Sequence, residues 1–118
     1  MADIMSLIKD EIRAYGRTEW VGEISGTQVT LYSKPLCAAD NAKVLRKFPY
    51  FNTNMNYGGM VEYILIKAEG VDGKPAFVAD RDRPLLNRWS QDRVSEVFQA
   101  LFGDQLDDVD DDEDRVGN

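Results

Sequence analysis

The stretch SQDRVSEVFQALF, residues 90–102, most constrains what this chain can fold into, because its apolar side chains are spaced for one face of a helix. Val94, Val97, Phe98, Leu101 and Phe102 recur at i, i+3, i+4, i+7 and i+8, the 3.6-residue period. Ser90 offers a hydroxyl to the free N–H groups of the first turn, and Asp92 puts negative charge at the positive end of the helix dipole. Gly103 stands where a left-handed cap would end the helix. A single helix with such a stripe is marginal in water, so the preceding chain must supply the surface that covers it.

That preceding chain offers several elements. Ile4, Leu7, Ile8, Ile12 and Tyr15 predict a helix over residues 3–15, with Gly16 as its stop. The period then changes: EWVGEI and QVTLY, separated by Ser25-Gly26-Thr27, predict a hairpin over residues 19–32. A hairpin is unstable alone, so Trp20, Ile24, Val29 and Leu31 are expected to lie against helices. Residues 38–48 read as a short helix with Val44, Leu45 and Phe48 inward, ended by Pro49. Residues 60–69 (MVEYILIKAE) suit either a strand or a helix, and Met60, Ile64, Leu65 and Ala68 favour a helix buried on most sides. Asp72-Gly73-Lys74-Pro75 is a turn, and a short helix is expected over 82–89, with Pro84 in its first turn, Asp80 or Asp82 near its cap, and Leu85, Leu86 and Trp89 inward. The expected fold class is α+β, mainly α: one globular domain over residues 1–103 with an N-terminal hairpin.

The 118 residues carry a net charge of −7, and its location is informative. Residues 104–118 hold eight acids and one base, leaving thirteen acids and thirteen bases in the neutral body. The expectation is a disordered, self-repelling acidic tail over 104–118. A neutral body has no basic face for nucleic acid, whose binding draws on phosphate neutralisation. No apolar run approaches the roughly 18 residues that span a bilayer, so no membrane partner is expected and the protein reads as cytoplasmic.

The chemistry available is narrow. Without histidine and with Cys37 as the single cysteine, Ser-His-Asp triads, Cys-His dyads and Cys/His zinc sites are excluded. Cys37 reads as a small buried hydrophobe. The pairs Asp10-Glu11 and Asp80-Asp82 are explained by capping and surface solvation. Asp108, Asp110 and Asp112 alternate as in a calcium loop, but Glu113 stands where that loop requires glycine. No catalytic residue, cofactor or metal site is predicted. The partner-binding candidates are the aromatics Tyr50, Phe51 and Tyr57 of the turn-prone stretch PYFNTNMNYGG, together with Val94, Phe98 and Leu101 at the edge of the terminal stripe. Packing into the core competes with binding for all six, most of all for Phe98 and Leu101.

Three segments carry a family resemblance: VTLYSKPLCAADNAKVLRKF (residues 29–48), a strand leading into a helix; VEYILIKAEGVDGKPAFVADRD (residues 61–82), an apolar helix leading into an Asp-Gly-Lys-Pro turn; and the terminal amphipathic helix. In their order they resemble the tail assembly chaperones of long-tailed, siphophage-type bacteriophages, over residues 18–103. Residues 3–15 lie outside the resemblance, and Cys37 stands where the family favours serine or threonine. The resemblance implies a non-catalytic protein of the host cell cytoplasm that coats the tape measure protein, keeps that long helical chain soluble, helps recruit major tail tube protein and leaves before the tail is complete. It also implies that a longer frameshifted form exists in many members. Coating a long client takes many copies, so self-association is a further expectation. Two other classes fit the residues: a structural minor tail or head–tail connector protein, and an acidic DNA-mimic inhibitor acting through the tail.

Overall fold

The computed structural model describes residues 3–51 and 53–105 in full, and residues 106–117 as the course of helical backbone. Seven elements follow in order: α1 (Ile4–Arg13), β1 (Thr18–Ile24), β2 (Thr27–Ser33), α2 (Ala38–Lys47), α3 (Tyr57–Lys67), α4 (Ala79–Leu86) and α5 (Gln91–Gly117). The fold is α+β and mainly α, with one hairpin, near the N-terminus, among the described residues. Among the described residues no helix is long and apolar enough to cross a membrane.

The hairpin forms where the period changes. β1 and β2 pair antiparallel from Thr18↔Ser33 to Ile24↔Thr27, leaving Ser25 and Gly26 as a two-residue turn with φ of 51° and 84°. Two positive φ values match the right-handed twist of the flanking strands, and Gly26 adopts its value without a Cβ clash. The alternating side chains send Trp20 and Leu31 into the core, while Ile24 and Val29 are partly buried against it. Three polar contacts seat the hairpin on α5. Thr18 Oγ1 donates to the Leu101 carbonyl at 2.9 Å, Trp20 Nε1 donates to Glu96 Oε2 at 2.7 Å, and the Arg93 guanidinium lies 5.5 Å from the Trp20 ring centre.

Residues 60–67 are helical, but Ala68 is an extended C-cap and Glu69 pairs with Tyr32 and Pro75, so the helix ends two residues before the expected bound. α3 starts at Tyr57, earlier than expected, because the Asn56 side chain accepts from the Gly59 N–H at 2.8 Å and caps a first turn containing Gly58 and Gly59. α3 is the central element, buried from Gly59 to Leu65 and covered by α2, α4 and α5. Phe51, Tyr63, Phe98 and Phe102 meet there, with ring centroids 5.3 to 5.9 Å apart at tilted or edge angles. Gly59 makes room for this cluster: a Cβ at that position would fall 2.3 Å from the Phe51 ring.

The last two helices depart from the expected bounds. Asp82 is not the start of α4 but its fourth residue, and its carboxylate reaches back to accept from the Val78 N–H at 2.7 Å, so the helix begins at Ala79. Pro84 therefore lies in the second turn, and the register turns Leu86 inward but Leu85 to solvent, correcting the inward placement of Leu85. Ser90 caps α5 as expected, accepting from the Arg93 N–H at 3.2 Å. Gly103 does not end α5. It is a buried helical residue, and the next turn is held to the domain by Gln105, whose Oε1 accepts from the Leu36 N–H at 2.6 Å. The remainder of the acidic tail, and with it the alternating Asp108, Asp110 and Asp112, lies outside the residues whose side chains are described.

α1 forms where its sequence predicts a helix, with Asp3 Oδ1 accepting from the Ser6 N–H at 2.8 Å as its N-cap, but it ends at Arg13 with Ala14 as C-cap, short of the expected stop at Gly16. None of its residues is buried. Ile4, Met5, Leu7, Ile8, Ile12 and the adjoining Tyr15 are all exposed, so the stripe has no cover among the described residues.

Candidate functional site

Two neighbouring depressions share one wall, and that wall is where α4 turns into α5. Leu86 and Trp89 belong to both. They stand there because the 87–90 connection is short, with the Trp89 N–H donating to the Leu86 carbonyl at 3.1 Å, which holds the indole beside the last turn of α4.

The first depression, about 490 Å³, is an apolar groove lined by Ile24, Phe77, Leu85, Leu86, Arg88 and Trp89. It lies where the tip of the hairpin meets α4, and Arg88 is its single charged side chain. The second, about 380 Å³, is a cleft between the start of α3 and the start of α5, with Tyr57, Val61, Trp89, Gln91 and Val94 in its lining. Its surface mixes apolar rings with amides, which suits a helical or extended peptide offering both.

The six sequence candidates separate on burial. Tyr57 and Val94 come together in the cleft, although Tyr57 belongs to the first turn of α3 rather than to a loop, and Val94 forms the floor with little exposed surface. Tyr50 is 78% exposed and lines neither depression. Phe51, Phe98 and Leu101 are fully enclosed in the core and present nothing to a partner, because α3 and the hairpin cover both flanks of the α5 stripe. Cys37 is also corrected: it is exposed, since as N-cap of α2 it precedes the first turn, where its backbone N–H donates to Asp40 Oδ2 at 3.0 Å and its carbonyl accepts from the Asn41 N–H at 3.2 Å.

Two buried carboxylates hold the scaffold behind the cleft. Glu62 on α3 accepts from both the Nε and the Nη2 of Arg83, the latter at 3.0 Å, and from Lys47 Nζ at 3.4 Å, joining α2, α3 and α4. Burial pushes the Glu62 carboxyl upward, but the hydrogen bonds and charge of Arg83, with Lys47 behind them, outweigh it and hold the group below its ordinary value. Asp40 follows the same balance: burial raises it, while the Lys67 ammonium at 2.8 Å and the Cys37 N–H bring it below the usual carboxylate range. Burial also raises the Tyr63 phenol, whose hydroxyl donates to Asn41 Oδ1 at 2.7 Å. These are positioning contacts that fix three helices against one another.

No protein-family model, curated protein or solved structure matches the chain. Geometry is therefore the basis for any functional reading. Sequence reasoning missed Leu86, Trp89 and Arg88 as lining residues, because a helix end carries no periodic signal. Glu62 did leave a signal: a carboxylate inside the otherwise apolar run MVEYILI must find cations when that run is buried.

Proposed function

We propose that the chain is a bacteriophage tail assembly chaperone, a non-catalytic protein that binds the tape measure protein, keeps it soluble and helps recruit tail-tube subunits. The observation that carries this reading is the cleft shared by Tyr57, Val61, Trp89 and Val94, open on a rigid scaffold and mixed in character. A long amphipathic client helix needs such a surface: an aromatic pair to receive an apolar anchor, and side-chain amides such as Gln91 and Asn87 to accept the polar flank. Weak binding at one cleft is sufficient, because many copies along one client gain by avidity.

The test is co-expression with the tape measure protein of the phage concerned, followed by a solubility assay and pull-down. The client is expected to become soluble and to co-purify, and Tyr57→Ala is expected to reduce capture about tenfold while leaving the fold intact, the effect typical of a truncated aromatic anchor. A client that stays insoluble and unbound overturns the reading. So does finding the chain retained in finished particles, which would mark a structural tail or connector component.

A further inference from the structure

The helix α1 and the apolar groove are two unpartnered surfaces of the same molecule, and they match. We propose that α1 of one copy docks in the groove lined by Ile24, Phe77, Leu85, Leu86 and Trp89 of a second copy. The proposal concerns self-association alone and does not require the chaperone reading.

Size is the first support. With exposures of 42 to 73%, Ile4, Met5, Leu7, Ile8, Ile12 and Tyr15 present on the order of 600 Å² of apolar surface, at the upper end of the largest apolar patches on monomers and approaching the roughly 800 Å² per partner of a stable interface. The groove, about 490 Å³, offers an apolar receptor for part of that stripe, and Leu85 at its edge is 67% exposed on the outer face of α4.

Charge is the second. Glu11 follows Leu7 by four residues and Ile4 by seven, so it stands within the α1 stripe rather than opposite it. Arg88 is the one cation in the groove. Neither forms an ion pair among the described residues, where the Glu11 carboxylate accepts only from the Tyr15 hydroxyl at 3.3 Å. One acid in the stripe meets one cation in the groove. The polar face of α1 carries Asp3, Lys9, Asp10 and Arg13, a mixed set without the lysine and arginine excess of helices that lie on lipid surfaces.

The geometry of the linker favours a second copy over the chain's own groove. Arg17 is pinned, with its guanidinium 4.1 Å from the Tyr32 ring centre and Nη1 donating to the Val71 carbonyl at 3.1 Å. Ile24 lies at the opposite end of β1, about 20 Å away at ~3.3 Å per residue. Two residues of extended chain from Arg17 to Tyr15 cover only ~7 Å, so the C-terminal half of the stripe stays outside its own groove. The contact is between unlike surfaces, so it closes on itself only as a reciprocal dimer or ring and otherwise continues head to tail.

The test is sedimentation equilibrium on the full chain, with Ile8→Asp and Leu85→Asp as variants at exposed positions and thermal melts to verify folding. Wild type is expected to associate with rising concentration, and each variant is expected to weaken association at least a hundredfold. A mixture of the two variants is expected to associate again, because one retains a sound groove and the other a sound α1. Glu11→Arg and Arg88→Glu are each expected to weaken association about tenfold, and the double swap to recover most of it. Wild type that stays monomeric, variants that associate like wild type, or a mixture that stays monomeric would each overturn the proposal.

Discussion

Replacing Phe98 with alanine separates the scaffold from the binding surface most sharply. Phe98 is fully buried and touches Phe51 and Tyr63 at 5.9 Å and Phe102 at 5.6 Å between ring centroids. Truncation removes a phenyl ring worth about 2 kcal/mol of transfer free energy. If the surrounding helices do not collapse, it also leaves a void of about 100 Å³, which at ~24 cal/mol per Å³ adds about 2.4 kcal/mol. The expected loss is therefore about 4 kcal/mol, a large share of the roughly 5–15 kcal/mol typical of a domain. Urea unfolding followed by the fluorescence of Trp20 and Trp89 would read this as a midpoint lower by about 2 M for a slope near 2 kcal/mol per M. A loss below about 1.5 kcal/mol would refute the four-ring core, since it would require Phe98 to stand in a place free to refill or open to solvent. The same experiment bears on function. Any loss of client capture by this variant should follow its loss of folded protein, whereas a fall in capture with stability unchanged would put Phe98 back at the binding surface.

Three further outcomes follow from contacts elsewhere. Glu62→Gln removes the carboxylate that joins Arg83 and Lys47 and should cost about 2 kcal/mol, with a coupling of at least about 1 kcal/mol to Arg83→Met in a double-mutant cycle. Because Glu62 and Asp40 titrate below their ordinary values of 4.5 and 3.8, their contribution to stability is fully present above those values and is lost as pH falls through the lower folded ones. Melting temperature should therefore fall with acidification below about pH 4.5, and Glu62→Gln combined with Asp40→Asn should flatten that fall. Gly59→Ala should destabilise by about 2 kcal/mol, since the new Cβ meets the Phe51 ring, while Gly16→Ala, with open space around it, should stay within about 0.5 kcal/mol by chemical denaturation.

The elements that carry their own period were legible. The α5 stripe, the hairpin turn at Ser25-Gly26 and the cap at Ser90 are local events, and each side chain needed to read them lies within a few residues. The bounds failed where a side chain reached back or ahead to satisfy a backbone group. Asp82 looked like the start of α4 because it is an acid before an apolar run, and it does serve the helix start, but from the fourth position. Gly58 and Gly59 looked like a turn because glycine favours one, yet a cap at Asn56 and the need to admit Phe51 make both helical. Gly103 looked like a stop because glycine suits the left-handed cap that ends a helix, while the Gln105 contact with Leu36 carries the helix onward.

The candidate site was less legible for a different reason. An amphipathic period states that a face will be covered, and it is silent on what covers it. The α1 and α5 stripes read alike, with apolar residues at three- and four-residue intervals, a polar N-cap and a glycine near the expected end. The difference lies outside both segments. α5 is followed around its circumference by α3 and β1, and its stripe disappears into one core. α1 is separated from that core by a linker anchored at Arg17, so its equally apolar face is left to another surface. The binding candidates were sought on α5 because it has the stronger stripe, and for that very reason its own chain had already taken it: the better a stripe fits the core that the chain can build, the less of it remains for a partner. Surfaces for association should then be looked for on stripes that the chain cannot reach, and at element junctions such as Leu86 to Trp89, where no period operates.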